Sequence, residues 1–456
     1  MKKKFAILLA IALSSKTASA VPLMEALAKA YETHPQIKSY QEDYITSLQQ
    51  YPLTLSSEFL PSVGIQTQVT NTKAPLLPGQ PQASNRSQSV SRALTVTQNI
   101  FNGGSSVANL ASAKYGIDNA KITYIAREQD FILKATLAYI DLLAKKEQLE
   151  VAIAHVSSTE KQNEAAEEKL KVGEATKTEV AATKSEHFQA LAEKANANAA
   201  FLAASSVYRE NFYEEPTDVT LPELPNDLPT DFEIFKQQAM KANLDIRSID
   251  VQLKGAKNKS LAAKGNLLPT LNATATAQRG NTETENSGLK TPNQLLQNDT
   301  SYSTTLNLTI PIISNGGAEY SRIRAANSQL RKAAYDKENV SKSVTTNLIL
   351  DWEQFIASKR SAEALAIAVE AKTIEYEGIK NQYEVGMLTL IDVLKIEREL
   401  YQVTFQNIQA KQQLMKAAYT VKADLAQLTA KNLGLKVKYF DAEKEFRKTK
   451  FKIVGF

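Results

Sequence analysis

None of the 14 prolines of this 456-residue chain falls within 82–215 or 312–456. Those two stretches hold more than half of the chain. Proline in a helix interior costs about 3 kcal/mol, so this distribution predicts two very long helical regions. From Ser105 to Lys171 only Gly116 interrupts the helix-forming composition. At 1.5 Å per residue that stretch makes a helix of about 100 Å. No single globular core needs such a length, and no bilayer is that thick.

The N-terminus reads as a processing signal. Lys2, Lys3 and Lys4 precede the apolar run Phe5–Leu13, and Ala18-Ser19-Ala20 matches a small-x-small cleavage site. Residues 1–20 are therefore expected to be a secretory signal peptide. They carry four lysines, so the formal charge of +5 falls to +1 without them. The basic balance thus gives no argument for nucleic acid. The chain has no cysteine, which excludes a disulfide scaffold, a thiolate site and a lipidated N-terminal cysteine. No run of 18 apolar residues occurs, so any membrane crossing must be a β-barrel.

The chain is written twice. Ala30–Ile37 is echoed by Ala239–Ile246, Leu60-Pro61 by Leu268-Pro269, and Asn102-Gly103-Gly104 by Asn315-Gly316-Gly317. Val172-Gly173, Thr176, Glu179-Val180 and Glu186 are echoed by Val385-Gly386, Thr389, Asp392-Val393 and Glu399. The offset stays between 208 and 213, which describes a duplicated half rather than a solenoid. The expected organisation is a first repeat over 21–230, a second over 231–430 and a C-terminal segment over 431–456. The Pro-rich stretch Pro216–Pro229 joins the halves.

Each half follows one plan: a helix of about 30 residues, two strands around a polar loop, a very long helix, a break and a returning helix. The returning helices are expected over 174–213 and 388–430. The strand signal is period-2 alternation at Val63, Ile65, Thr67 and Val69, and at Leu94, Val96 and Ile100. In the second half it is Leu271, Ala273 and Ala275, then Leu306, Leu308, Ile310 and Ile312. Strands of about 10 residues are expected, long enough for a tilted membrane strand, with loops over 72–91 and 280–300. An ordinary hairpin packed on soluble helices reads equally well from the strands alone.

The returning helix of the second half carries two apolar seams. One runs through Met387, Ile391, Leu394, Tyr401, Phe405, Ile408, Met415 and Tyr419. The other runs through Val393, Ile396, Leu400, Val403, Ala410, Leu414, Ala417, Val421 and Leu428. Two seams mean neighbours on both sides, as in the wall of a ring of helices, although a filled bundle also fits. Four strands cannot close a membrane barrel, which needs about eight or more. Three copies would supply twelve strands and twelve helices, enough to close both a β-barrel and a helical barrel.

With these features the chain resembles the TolC family of outer-membrane efflux and secretion channels. The most specific segment is Tyr383-Glu-Val-Gly-Met-Leu-Thr-Leu-Ile-Asp-Val-Leu394. The resemblance implies a mainly α fold with membrane β: a homotrimer whose 12-stranded barrel continues into a 12-helix periplasmic α-barrel. It implies an outer-membrane location and a passive duct for drugs or secreted proteins, opened by a periplasmic adaptor and an inner-membrane pump or ABC transporter. Tyr383 matches the family's gate tyrosine, and Glu179 the acidic residue that can bond it. Asp392 matches the first of two gate aspartates and Lys395 replaces the second, which implies weaker cation selectivity. Leu388 stands where an arginine is common, so one latch is expected to be missing. Val172, Gly173, Val385 and Gly386 are the expected adaptor-docking hairpin tips. Gly103, Gly104, Gly316 and Gly317 are the expected strand-helix junctions.

The other classes are weaker. A periplasmic adaptor usually carries one hairpin in a β-rich domain, whereas two hairpins and two strand pairs are read here; a soluble structural coiled coil is the further alternative. His34, His155 and His187 lack metal-ligand spacing and are expected to be solvated or capping. No catalytic residue, metal or cofactor is expected. Trp352 is expected to pack between helices.

Overall fold

The computed structural model describes residues 22–74, 84–216, 219–287, 295–313, 315–453 and 455. The signal segment expected over 1–20 and the terminal Phe456 lie outside these. The chain divides into two compact units, and each draws on both repeats. The first takes residues up to Tyr40 with Ile125–Asn243 and Val344–Tyr439; the second takes Gln41–Tyr124, Leu244–Ser343 and Phe440–Phe456. Two helices of 67 residues, α4 (Ser105–Lys171) and α8 (Ala318–Glu384), contribute to both. These are the long helices that the proline-free stretches predict. Gly116 sits inside α4 without ending it.

The second unit holds one antiparallel sheet of β1 (Ser62–Ala74), β2 (Ser84–Asn102), β3 (Thr270–Ser287) and β4 (Leu295–Thr309), in that order. The strands have 13, 19, 18 and 15 residues, well beyond the expected 10. Most of the expected loops 72–91 and 280–300 is therefore strand. The extra rungs are Asn, Thr, Ser, Gln and Arg, such as Asn71↔Gln88 and Thr72↔Ser87. They lack apolar alternation, so the sequence reads as loop, yet a ladder needs only backbone partners. At the other end β4 stops at Thr309, leaving Ile310 and Ile312 outside it. Pro311 has no N–H to continue the ladder.

Register places the apolar residues on one face. Val63 pairs with Val96, Ile65 with Leu94, Leu94 with Ala277 and Ala277 with Tyr302. Ala273 pairs with Leu306, and Leu271 with Leu308. Ile65 and Tyr302 are 80% and 81% exposed, so nothing among the described residues covers this face. The opposite face carries Gln66, Thr95, Thr276 and Ser303. A β-bulge shifts β2 against β3 between Asn99 and Phe101, just before the strand gives way to α4.

That junction is built on a close backbone approach. Gly103 and Gly104 adopt φ of +55° and +78°, which only glycine takes without strain. A Cβ on Gly103 would sit 2.0 Å from the carbonyl oxygen of Gly265, at the end of α7 (Leu244–Gly265). The equivalent Gly316 and Gly317 also have positive φ, +65° and +87°, but a Cβ on Gly316 would meet nothing within 4 Å.

Before each sheet pair the expected 30-residue helix is broken. The first half has α1 (Leu23–Thr33), α2 (Pro35–Leu48) and α3 (Gln50–Phe59). His34 precedes a proline, which pushes it out of the helical region to φ −71°, ψ 124°. In the second half α6 (Phe232–Ala242) and α7 part at Asn243.

The first unit is helical, and its core gathers Leu27, Tyr31, Phe131, Ile132, Tyr139, Tyr208, Phe212, Tyr419 and Leu428. Tyr139 is fully buried. Its hydroxyl donates to the Thr220 carbonyl at 2.9 Å and accepts the Thr220 N–H at 3.0 Å, which pins the linker between the repeats. Trp352 is buried and stacks on Phe235 with centroids 5.2 Å apart, the expected packing role. The returning helices are α5 (Lys177–Phe212) and α9 (Leu390–Asp424), shorter than expected at both ends. Within one chain the seams of α9 are buried in part, through Leu394, Ile408, Met415 and Tyr419 on one and Val393, Ile396, Ala410, Ala417 and Val421 on the other, whereas Met387 and Ile391 of the first seam are exposed. The helix ends at Asp424, whose Oδ2 is buried without a hydrogen-bond partner.

Two predictions follow from packing. Gly103→Ala adds a backbone clash to conformational strain, whereas Gly104→Ala adds only strain of about 1–3 kcal/mol; thermal melts should rank Gly103→Ala as the more damaging. Burial, with Asp351 adding, pushes the Asp424 carboxyl up to about 7 from an ordinary 3.8. The folded chain then holds a proton that the unfolded chain has lost between those values, so stability falls as pH rises through that window. Asp424→Asn should therefore raise the melting temperature more at pH 8 than at pH 5.

Candidate functional site

The first unit brings the hairpin ends and their named residues together. Each hairpin turns through five residues, Val172–Thr176 after α4 and Val385–Thr389 after α8. Gly173 and Gly386 take φ of +81° and +79°. In the first turn the Glu174 N–H bonds the Lys169 carbonyl at 2.8 Å and the Gly173 N–H bonds Leu170 at 3.1 Å. In the second, Met387 bonds Gln382 and Gly386 bonds Tyr383, both at 2.9 Å. This is the double bond pattern of a Schellman cap, which needs glycine at its left-handed position. The apolar side chains Val172, Val385 and Met387 point into solvent.

The returning helices start with matching capping boxes. Thr176 accepts from the Glu179 N–H at 3.2 Å, and Glu179 Oε2 accepts from the Thr176 N–H at 2.7 Å. Thr389 and Asp392 repeat this at 3.4 and 3.0 Å. These bonds hold both carboxyls below their ordinary range: Thr176 lowers Glu179, and Thr389 lowers Asp392, with Lys395 adding. Both acids therefore act as helix caps in a single chain. Lys395 is exposed one turn after Asp392, lining a groove of about 480 Å³ with Ser185, Ile391 and Arg398.

Within one chain Tyr383 meets Lys169. Its hydroxyl accepts from Lys169 Nζ at 3.1 Å, and that ammonium lies 5.3 Å from the ring centroid. The bond joins the end of α4 to the end of α8. Beneath it Ala166, Leu390 and Leu394 form a small buried cluster with Val180, Ala182 and Tyr383 around it. Lys169 was not legible in the sequence, because its repeat counterpart is Gln382 and nothing local marks it. Leu388 offers no charge to this network.

The histidines, expected to be solvated or capping, include two that are buried. His34 does cap, with Nδ1 accepting from the Gln36 N–H at 3.1 Å, but it is buried. His155 is also buried and lies between carboxylates of two other helices. Among the described residues no group of three or more acids and histidines is placed to hold a metal. No described helix is long and apolar enough to cross a membrane.

A sheet with one apolar face and paired long hairpins defines a class, and comparison with known proteins agrees. The sequence model of the outer membrane efflux protein family matches residues 27–206 and 236–427. The outer membrane efflux protein BepC of Brucella suis is 23% identical over 97% of this chain and 93% of its own length. The outer membrane protein TolC of Escherichia coli is 26% identical over 92% of this chain and 84% of its own. The crystal structure of the Campylobacter jejuni CmeC outer membrane channel superposes with a TM-score of 0.76 at 15% identity, over 94% of this chain and 89% of that one.

The chain belongs to the outer membrane efflux protein family. It is an outer-membrane exit duct for efflux.

The caps generate a prediction. Thr176→Ala and Thr389→Ala should each cost about 1 kcal/mol at the helix start, seen as faster amide exchange confined to the first turns of α5 and α9. Glu179 and Asp392 have lowered values, so their cap stabilisation is present above the ordinary carboxylate range and lost as pH falls below it. The same amides should loosen in acid in the wild type.

Proposed function

We propose that the chain acts as a homotrimer, a passive duct that closes at its hairpin tips and is opened by a periplasmic adaptor and an inner-membrane pump or ABC transporter. The observation that carries the trimer is the four-stranded sheet. β1 and β4 are its open edges, and open edges are not tolerated in lipid. Three copies close the sheet into twelve strands, and β1 of one pairs with β4 of the next. The empty space at Gly316 supports this: its repeat counterpart Gly103 packs on α7, and in the trimer α3 of the next copy takes that place.

The gate reading rests on the tips. Lys169 uses a lone pair of the Tyr383 oxygen, so the Tyr383 O–H remains a donor. In the closed trimer that donor meets Glu179 of a neighbouring copy. Asp392 and Lys395 ring the narrow end, where three carboxylates favour cations and three ammonium groups cancel part of that field. Val172, Gly173, Val385 and Gly386 form the apolar tips that an adaptor engages. The domain reading follows the duplication, with repeats over 21–230 and 231–430 and a C-terminal segment over 431–456. Cargo is a drug or a secreted protein.

The tests use purified protein in planar bilayers. Tyr383→Phe and Glu179→Ala should raise conductance and the leakage of large antibiotics into cells; unchanged values for both would refute the latch. Lys395→Asp should increase the cation-to-anion permeability ratio measured from reversal potentials under a salt gradient.

A further inference from the structure

Farther along the hairpins from the tips, a buried polar cluster ties the first hairpin to the second. Glu186 on α5 is 5% exposed. It accepts from Arg398 Nε on α9 at 2.9 Å and bonds the same guanidinium through Nη2. This is a two-pronged pair of the strong kind. His155 on α4 stands beside it, with Nε2 3.8 Å from Glu186 Oε1 and Nδ1 3.9 Å from Glu397 Oε1 on α9. The His155 ring stacks on Tyr401 of α9 at 4.5 Å. Glu397, itself buried, accepts from Gln162 Nε2 on α4. Apart from the approach of His155 to Glu186, which stays within the first hairpin, these contacts cross from α4 or α5 to α9.

The duplication gives the reason. Glu186 and Glu399 are equivalent at the offset of 213. Glu399 pairs with Lys372 at 2.8 Å, inside its own hairpin. The position equivalent to Lys372 is Thr159, a neutral residue whose hydroxyl bonds the His155 carbonyl at 3.0 Å. The first hairpin therefore offers Glu186 no cation at that place, and Arg398 of the second hairpin supplies it. A buried carboxylate stripped of its partner is strongly unfavourable, so the hairpins resist separation here.

We propose that Glu186 and Arg398, framed by His155, Glu397 and Gln162, are a second gate clasp inside each chain, one that must break or slide when the second hairpin moves against the first. They are positioning residues that act through the hairpins. The inference rests on the gating reading above and adds a control point remote from the tips.

Protonation gives the clasp a signature. Burial is the largest cause lowering the His155 value, with Arg398 also lowering it and Glu397 and Glu193 opposing. The groups facing this cluster are Glu186, His187 and Glu193 from α5, Glu397, Arg398 and Tyr401 from α9, and Tyr376 from α8, which feels Glu397. The closed clasp favours neutral imidazole, whereas a histidine released into water keeps its ordinary value near 6.5. The stabilisation is therefore complete above that value and is lost as pH falls, so the clasp loosens in acid.

The experiment records single-channel opening of the purified oligomer in planar bilayers, with oligomer integrity checked by heat-resistant migration in detergent gels. Glu186→Gln and Arg398→Gln should raise open probability roughly tenfold. The charge swap Glu186→Arg with Arg398→Glu should bring it back toward wild type. His155→Gln should flatten a rise in opening that the wild type shows on acidification. If the single variants stay closed while Tyr383→Phe opens the channel, the clasp is refuted and the tip gate stands. If Tyr383→Phe is also inert, the gate reading fails and takes the clasp with it. If the charge variants do not assemble, His155→Gln decides, and an unaltered pH profile refutes the clasp.

Discussion

An unclosed β-ladder governs this molecule. Four strands pair with one another through both repeats, and the outer sides of β1 and β4 still carry backbone donors and acceptors without strand partners. Water can satisfy such groups, whereas hydrocarbon cannot. The same sheet presents Ile65, Leu94, Leu306 and Tyr302 on an uncovered face. An apolar face demands lipid and open edges forbid it, and closure with further copies resolves the conflict. The duplication lets two hairpins per chain serve where a single-repeat protein would need twice as many subunits.

The helices answer a second constraint, that a duct must move without melting. Each tip satisfies its own helix ends through a Schellman turn and a capping box. No helix end there depends on another hairpin for its backbone bonds. Near the tips the contacts between the hairpins are specific, Lys169 on Tyr383, the small cluster around Leu394 and Arg398 on Glu186, and farther along the hairpins share the main apolar core. A hairpin built in this way can shift as a body by exchanging side-chain bonds, and the pair on buried Glu186 is the costly one to break.

Much of this was legible in the sequence because proline, glycine and period-2 alternation act locally. The bounds of α4 came from proline absence and Gly103, and the tips from Val172-Gly173 and Val385-Gly386. Where physics is non-local the reading failed. The polar rungs beyond Thr70 look like loop, since ladder bonds are invisible in side-chain chemistry. Gly265 gives no sign that it makes room for Gly103. Within one chain Glu179 and Asp392 bond in their own turns as helix caps, and a gate role for them rests on the proposed contacts between copies. Lys169 and His155 were missed because their partners lie more than 200 residues away or on other helices.

The most direct measurement uses the absence of cysteine. One cysteine is introduced on β1 and one on β4 over a series of rungs, and the protein is oxidised in outer-membrane extracts. Closure of three sheets predicts, at the paired rungs, covalent products of two and three chains and none larger. A product that stays at one chain for every rung, or a ladder that runs on past three, would contradict the account.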